Sequence, residues 1–267
     1  MNSLLSFLRL LHARRRLITA MAVREIRAQY VGSSLGLLWT LIHPLVMISV
    51  FWFVFSVGFK AKPLNGDVPF IVWLTAGLAP WYIFSDIISG STNIIVAHSH
   101  LVKKTIFSPQ ILPVVKILSG MVTHAIFLLV LLVLLVFQQM PFSLYYFQAG
   151  YYLFCMLVLA LGISWTLSAL NVFVRDVAQL VTVLLQVGFW VTPIFWDITM
   201  MPPKVQWFLK LNPVYYIIQG YRDSFITFQP FWNHLSYTVY YWLVTLGMLT
   251  SGAYIFKKLK PQFPDVL

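Results

Sequence analysis

Charged residues are scarce in this chain of 267 residues. Asp, Glu, Lys and Arg together make up 9% of it, and seven residues are acidic. Hydrophobic residues make up 60%, and the mean hydropathy is +0.83. These values lie far outside those of soluble globular domains, so an integral membrane protein is predicted. The net charge of +11 requires no nucleic acid, because basic residues beside anionic lipid headgroups account for it.

Two further absences narrow the chemistry. Cys155 is the single cysteine, which excludes a disulfide framework and a thiolate metal site and leaves a packing role. His98 and His100 point to different helix faces and have no third ligand nearby, so no metal site is predicted. The chain lacks a GxxxxGK[ST] loop. We therefore expect no catalytic residue, no metal and no cofactor on this chain.

Five stretches with little or no charge are long enough to cross a membrane. A spanning helix needs roughly 20 apolar residues, and the polar turn Gln138-Gln139-Met140-Pro141 divides the longest stretch into two spans. No repeat or linker is evident, so residues 1–267 form one domain. The prediction is an all-α integral membrane protein with six transmembrane helices, near 35–58, 70–97, 117–137, 148–173, 177–196 and 233–256.

An even number of spans places both termini on one side of the membrane. Most Lys and Arg residues fall on that side, which predicts that it is cytoplasmic. Residues 1–34 then form a cytoplasmic interface segment with an N-terminal amphipathic helix. One arc of that helix carries Ile18, Ala22, Val23, Ile26 and Tyr30.

The same segment offers charges to a soluble partner. Arg24, Glu25 and Arg27 lie outside the apolar arc and face the cytosol. Gly32 and Gly36 join this helix to the first span as a short hinge.

Two other cytoplasmic connections are expected. Between spans 2 and 3, Ser99 is predicted to cap a short basic helix that ends near Ser108-Pro109. This is either a coupling helix in a groove of an ATPase or a loop whose lysines only set the topology. Between spans 4 and 5, Asp176 is predicted to cap span 5 while Arg175 ends span 4.

The connection between spans 5 and 6, residues 197–232, is too apolar for a solvated loop. It contains two helix signals: one follows Pro202-Pro203, and the other has Asn212 as its cap and Pro213 in its first turn. A helix over residues 213–225 spans roughly 20 Å, which is less than the thickness of a bilayer core. A re-entrant extracellular hairpin is therefore predicted. Such a hairpin is a candidate gate.

Polar and aromatic residues within the spans suggest a pathway. His43, Asp86 and His124 lie at similar depth, and an ionisable residue inside a membrane is a candidate functional site, so Asp86 and His124 are predicted to pair. The alternative is that Asp86 faces a wet pore without a partner. Aromatic faces inside spans suit sliding sugar rings, although packing explains any single tryptophan equally well. The candidate pore-lining residues are Trp39, Trp81, Tyr82, Asp86 and Trp190.

Short motifs spread over nearly the whole chain support a family resemblance. They are Arg24-Glu25 with Tyr30, Leu35-Gly36, Trp39 and Pro44, Asn171-Val172 with Arg175-Asp176, Pro193, and Leu211-Asn212-Pro213 with Tyr216 and Gly220-Tyr221-Arg222. In this order they closely resemble the membrane subunits of ABC-2 type polysaccharide exporters. The segments at 66–77 and 211–224 and the ending QFPDVL look most like the wall teichoic acid branch. The segments LNVFVRD and TPIFW are similar to the O-antigen branch.

The resemblance implies a role for each motif. It implies an ATPase contact made by Arg24, Glu25, Arg27, Leu101, Lys103, Lys104, Phe107, Arg175 and Asp176. It implies an extracellular gate formed by Pro193, Trp196, Pro202, Pro203, Asn212, Pro213, Tyr216, Tyr221 and Arg222.

The resemblance also implies an assembly and a cargo. Two copies of the permease would work with two cytosolic ATPase subunits, which hold ATP and Mg²⁺. The complex would sit in the bacterial plasma membrane and export a polymer linked to polyprenyl pyrophosphate: teichoic acid or, alternatively, O-antigen or capsular polysaccharide.

Other function classes have weaker support. A secondary transporter should show repeat symmetry and binding charges at broken midplane helices, and neither is evident. An intramembrane enzyme needs a converging acid, base or metal set, whereas the spans offer Asp86 and scattered histidines.

Overall fold

The computed structural model describes residues 2–29, 32–60, 68–104 and 107–267, and these residues are helical with no strand among them. Tyr30 and the middle of the 101–107 contact segment, at 105–106, lie outside the described residues. The α-helices of the described part are α1 Asn2–Ala13, α2 Arg15–Ala28, α3 Trp39–Trp52, α4 Phe70–Ala97, α5 Ser99–Val102, α6 Leu112–Phe137, α7 Ala149–Phe173, α8 Asp176–Val191, α9 Pro203–Lys210, α10 Pro213–Arg222, α11 Leu235–Leu259 and α12 Phe263–Val266. The predicted all-α membrane fold is confirmed.

Five helical stretches in the described residues are long and apolar enough to cross a membrane. They are Trp39–Gly58, Phe70–Ala97, Pro109–Phe137, Leu144–Phe173 and Phe231–Val266. The remaining predicted span corresponds to α8, which has 16 residues. Six spans therefore stay a prediction, with α8 as the short member.

Helix α4 is the centre of the bundle. Nearly all of its residues from Phe70 to Trp81 are buried, and it packs against α6, α7 and α10. By contrast, α3 and α8 lie at the periphery and expose most of their apolar side chains. The pattern gives α4 a protein environment on all sides and leaves α3 and α8 two open apolar faces.

Helices α7 and α11 approach each other at glycines. A Cβ atom on Gly252 would overlap the carbonyl oxygen of Gly162, and one on Gly162 would lie 2.7 Å from the backbone nitrogen of Leu249. Small residues at a helix crossing let membrane helices pack backbone to backbone. This contact joins the last span to the rest of the bundle.

The end of α8 differs from the predicted span. The sequence placed the span to residue 196, but α8 ends at Val191, and Thr192 is extended with φ −75° and ψ 133°. Proline disfavours helix at the residue before it, and Pro193 follows. Residues 192–196 are therefore a non-helical segment, called the break segment below.

At the connections that are expected to be cytoplasmic, four details differ from the predictions. His98 rather than Ser99 holds the N-cap position of α5, and α5 ends at Val102 instead of near Ser108. Arg175 holds the N-cap position of α8, and the capping oxygen belongs to Asn171, whose Oδ1 accepts a bond from the Ala178 N–H at 3.2 Å. The helix of span 3 begins near residue 109, earlier than predicted, because Pro109 and Pro113 fit a first helical turn.

The predicted hairpin helices form. Asn212 caps α10 through a 3.0 Å bond from the Val214 N–H to its Oδ1, and Pro213 occupies the first turn. Helix α9 begins at Pro203 as expected. In the sequence, five residues stand at i, i+3, i+4, i+7 and i+11, a spacing that predicts one apolar helix face. All five are buried: Val214, Ile217, Ile218, Tyr221 and Phe225.

Candidate functional site

The break segment is held from inside the protein by one side chain, Arg222 at the end of α10. Its Nη1 donates to the carbonyl oxygen of Pro193 at 2.9 Å, and its Nη2 donates to that of Ile194 at 2.7 Å. Extended backbone frees carbonyls that a helix would satisfy, and buried carbonyls without partners are costly. Arg222 therefore supplies the hydrogen bonds that the end of α8 cannot.

Helix α4 completes the cradle of Arg222. The guanidinium carbon lies 3.5 Å from the centroid of the Trp73 ring, a cation–π geometry. Gly77 faces the same group, since a Cβ there would lie 3.0 Å from Nη2 and 3.2 Å from the Ile194 carbonyl oxygen. A second bond, from Asn212 Nδ2 to Thr192 Oγ1 at 3.0 Å, ties the start of α10 to the break segment. We call this set, Arg222, Trp73, Gly77 and Asn212 around residues 192–194, the latch.

Burial governs the charges at the latch. Desolvation lowers the pKa of Arg222 to about 9, partly offset by Tyr215, Asp197 and Asp223, so the guanidinium remains protonated at neutral pH. Burial also raises the pKa of Asp223, while hydrogen bonds from Gln219 and Thr227, each 2.9 Å, lower it. The hairpin thus buries two adjacent ionisable side chains, Arg222 and Asp223.

Aromatic rings cover the other side of the break segment. Phe195 stacks on Phe55 at a centroid distance of 4.8 Å and meets Trp190 edge-on at 5.0 Å. Phe51 lies 5.4 Å from Phe189 in the same cluster. Because such pairs favour defined geometries, the cluster fixes the break segment between α3 and α8.

A cavity of about 350 Å³ lies between the hairpin and α11. Tyrosine rings and polar side chains alternate around it. The lining residues used below are Asp197, Lys210, Tyr215, Gln219, Asp223 and Tyr237. A smaller cavity of about 80 Å³ adjoins it beside Trp73 and Arg222.

The predicted pairing of Asp86 with His124 is wrong. Asp86 Oδ1 accepts a 2.8 Å bond from Lys116 Nζ, and the two side chains are 38% and 4% exposed respectively. His124 is buried and its Nε2 lies 2.8 Å from the Tyr221 hydroxyl of α10. Lys116 stands near the start of span 3 and is one of the basic residues whose positions predict a cytoplasmic surface there. A lysine four carbons long reaches inward from that position, which the charge count could not show.

The candidate pore-lining residues occupy different environments. Trp39 and Trp190 are exposed on the peripheral helices α3 and α8, whereas Trp81 is buried against Gly188. Tyr82 is half-buried and stacks on Phe127 at 5.0 Å. Asp86 is the remaining candidate, and its carboxylate is partly exposed. The exposed members lie on the faces of α3 and α8 that no other described element covers.

The candidate contact residues gather at the other end of the bundle. Arg24, Arg27, Lys103, Lys104, Arg175 and Asp176 are exposed there, while Glu25, Leu101 and Phe107 are half-buried. A buried apolar cluster joins the segments that carry them, with Met21, Val102, Phe107, Phe173 and Phe263 among its members. The C-terminal helix α12 contributes Phe263, which the sequence analysis did not single out. In the sequence, the indication for this contact was an apolar residue that follows the basic segment at 257–260.

The remaining candidate gate residues follow the hairpin. Pro202 and Pro203 are exposed at the start of α9, and Trp196 Nε1 donates to the Trp190 carbonyl oxygen at 3.2 Å. The Tyr216 hydroxyl is 2.9 Å from Thr238 Oγ1 and 3.3 Å from the Tyr151 hydroxyl. This network ties α10 to α7 and α11, so the gate candidates Tyr216, Tyr221 and Arg222 anchor the hairpin on three different neighbours.

Comparisons with known proteins agree with this architecture. The family description "ABC-2 type transporter" matches residues 16–226. The chain is 25% identical over 252 residues to the O-antigen export system permease protein RfbA of Klebsiella pneumoniae, covering 94% of this chain and 95% of that protein. It is 28% identical to RfbA of Myxococcus xanthus, with 83% and 85% covered. It is also 22% identical to the polysialic acid transport protein KpsM of Escherichia coli, with 78% and 80% covered. The family match spans well over half of the sequence, and the chain belongs to the ABC-2 type transporter family.

Proposed function

We propose that this chain is the membrane subunit of an ATP-driven exporter that moves an O-antigen type polysaccharide across the plasma membrane. One observation carries the proposal: the similarity to two O-antigen export permeases extends over most of this chain and most of each relative. The chain contains no phosphate-binding loop. ATP and Mg²⁺ are therefore assigned to a separate cytosolic ATPase.

The exposed faces support the proposed assembly. Helices α3 and α8 leave long apolar surfaces open, which suits a second copy of this chain. In the proposed complex, two permeases and two ATPases surround one path, both termini are cytoplasmic, and the contact residues at the α2 and α5 end meet the ATPase. The cargo would be linked to polyprenyl pyrophosphate.

Capsular polysaccharide is the second candidate cargo. The similarity to KpsM, a polysialic acid transport protein, favours it. Teichoic acid, the first expectation from sequence, gains no support from these relatives, which are named for O-antigen and capsule export. The resemblance that favoured it rested on short segments, and those segments occur within a family that carries several polymers.

Deletion of the gene in the source organism tests the proposal. We expect loss of the surface polysaccharide and accumulation of lipid-linked polymer on the cytoplasmic side. The identity of the missing polymer separates O-antigen from capsule and from teichoic acid. Copurification with an ATPase whose hydrolysis rises in the complex supports the ATP-driven class. Transport by the purified chain alone on an ion gradient contradicts it and favours a secondary transporter.

A further inference from the structure

We propose that the cavity between α10 and α11 is a binding subsite for one neutral hexopyranose unit. It lies at the hairpin end of the bundle, far from the α2 and α5 end. This proposal rests on the proposed export function, because the exported polysaccharide is the source of the sugar. It adds a place within a single subunit where a sugar unit is held.

The size of the cavity fits a small ligand. Ligand pockets usually enclose about 300–1,000 Å³ and combine ring surfaces with a few placed polar groups. This one encloses about 350 Å³ and is bounded by the tyrosines of two facing helices, Tyr215 of α10 and Tyr237 of α11. Among the described residues, neither hydroxyl has a hydrogen-bond partner, although the surrounding tyrosines do.

The polar groups match the hydroxyls of a sugar. Carboxylate oxygens accept hydrogen bonds, amides donate and accept them, and tyrosine rings offer flat apolar surfaces to the axial C–H face of a pyranose. Asp223 and Gln219 stand at hydrogen-bond distance from each other on α10 and its extension, and Asp197 enters from the segment after the break. The lining therefore offers both polar contacts and stacking surfaces.

The charges argue against other ligands. Two carboxylates, Asp197 and Asp223, line the cavity together with the ammonium group of Lys210, which lies 5.7 Å from the Tyr237 ring centroid. The imidazole of His234 also lines it, with Nε2 3.9 Å from Asp223 Oδ2. A phosphodiester would meet repulsion from the carboxylates. An acyl chain would leave the hydroxyls of Tyr215 and Tyr237 without hydrogen-bond partners. A neutral sugar gives the two tyrosine hydroxyls hydrogen-bond partners and brings no further negative charge.

The location gives the subsite a connection to the latch. Gln219 and Tyr215 line both cavities, and the smaller one includes Trp73 and Arg222. A sugar held beside α10 therefore lies within one helix turn of the residue that holds the break segment. Binding of a sugar at the subsite could therefore signal to the gate that polymer has arrived.

Cysteine protection tests the inference in the assembled complex with its ATPase. Cys155 is buried, so a Thr199→Cys variant adds a thiol at the cavity rim that maleimide reaches. The probes are D-glucose, D-galactose, D-mannose, L-rhamnose and N-acetyl-D-glucosamine, with glycerol 3-phosphate for comparison. At a concentration ten times its dissociation constant, a bound sugar should slow labelling by about tenfold by mass action.

Two control variants make the result specific. Ser236→Cys places a thiol on the same end of α11 outside both cavities, and its labelling should not change with sugar. Adding Tyr237→Ala to Thr199→Cys should abolish the protection. Protection by at least one hexose, absent for glycerol phosphate, supports the subsite.

Three results overturn it: no sugar protects Thr199→Cys, glycerol 3-phosphate protects better than every sugar, or protection persists in the Tyr237→Ala background. Polymer export by the same complex is measured in parallel. Export without sugar protection refutes the subsite and leaves the proposed function standing, whereas an absence of export and of an ATPase partner refutes the proposed function.

Discussion

Replacing Arg222 with lysine should release the break segment while preserving its positive charge. Lysine is a compact cation on a flexible stem, and it has neither the planar fork that reaches two carbonyls nor the flat face that stacks on an indole. Arg222 now serves the carbonyls of both Pro193 and Ile194 and stacks on Trp73. The variant therefore tests the geometry of the latch separately from its charge.

The expected loss follows from the contacts. One charge-assisted hydrogen bond contributes about 1.5–3 kcal/mol. The stacking on Trp73, in a desolvated site, contributes about 1–2 kcal/mol. Lysine retains one hydrogen bond and part of the cation–π attraction, so a net loss of about 3 kcal/mol is expected for local opening. Each 1.4 kcal/mol is a factor of about ten, which gives roughly a hundredfold rise in opening.

Hydrogen exchange read by mass spectrometry measures this opening. The Ile194 N–H donates to the Thr192 carbonyl oxygen at 2.7 Å, so peptides over 192–196 report the state of the break segment. We expect exchange there to accelerate about a hundredfold in Arg222→Lys, by the free-energy argument above. Trp73→Leu removes the stacking on Arg222 together with some core packing and should accelerate exchange by about tenfold or more.

Arg175→Lys is the matched control. It makes the same chemical change at an exposed turn and should leave exchange at 192–196 unchanged. If Arg222→Lys folds and exchanges at the wild-type rate in this segment, the latch does not depend on the guanidinium and the reasoning fails. If Arg222→Lys does not fold, Trp73→Leu remains to decide.

Three further perturbations have defined outcomes. Asp86→Asn leaves the Lys116 ammonium without its counter-charge, and because Asp86 is partly exposed we expect a loss of about 2 kcal/mol in unfolding free energy. The loss should appear as a lower melting temperature, and adding Lys116→Met should reverse it. An unchanged melting temperature contradicts the pairing. Gly252→Ala brings a Cβ onto the Gly162 carbonyl and should lower the unfolding free energy by about 1–3 kcal/mol in the same measurement. Gly247→Ala, on the same helix with open space around it, should cost nothing. Equal effects would show that the α7 and α11 crossing is not tight. Gly32→Ala and Gly36→Ala force alanine to φ values of +81° and +50°, which costs about 1 kcal/mol of conformational free energy in each variant. Both variants should impair export more than folding, and Gly150→Ala is the control. Unimpaired export in both variants removes the hinge from the mechanism.

Much of this fold was predictable because its signals are local. Uncharged stretches, the proline before α9 and the Asn212-Pro213 pair marked helices at nearly the positions where they occur. The apolar face of α10 followed from its spacing, and all five of its residues are buried. These features depend on residues within one or two turns of each other.

The side-chain partners were harder to predict than the helices. Depth counting paired Asp86 with His124 and missed Lys116, because counting residues measures the height of a Cα atom and ignores the reach of a side chain. The cap of α8 came from Asn171 in the preceding helix rather than from Asp176. Trp73, 149 positions from Arg222 in the sequence, offered no periodic signal for their stacking.

Helix α4 explains how one bundle can relate its two ends. It is buried along most of its length, holds Trp73 and Gly77 against the latch, and carries Ile94 and Ile95 into the cluster that joins α2, α5 and α12. Its 28 residues span roughly 42 Å at helical rise. Since a closely packed helix moves as a unit, a displacement of the cluster by a cytosolic partner would shift Trp73 relative to the break segment. The Lys116 and Asp86 pair lies between these ends and fixes α4 to α6, so a tilt of α4 must carry α6 with it or break a buried ion pair.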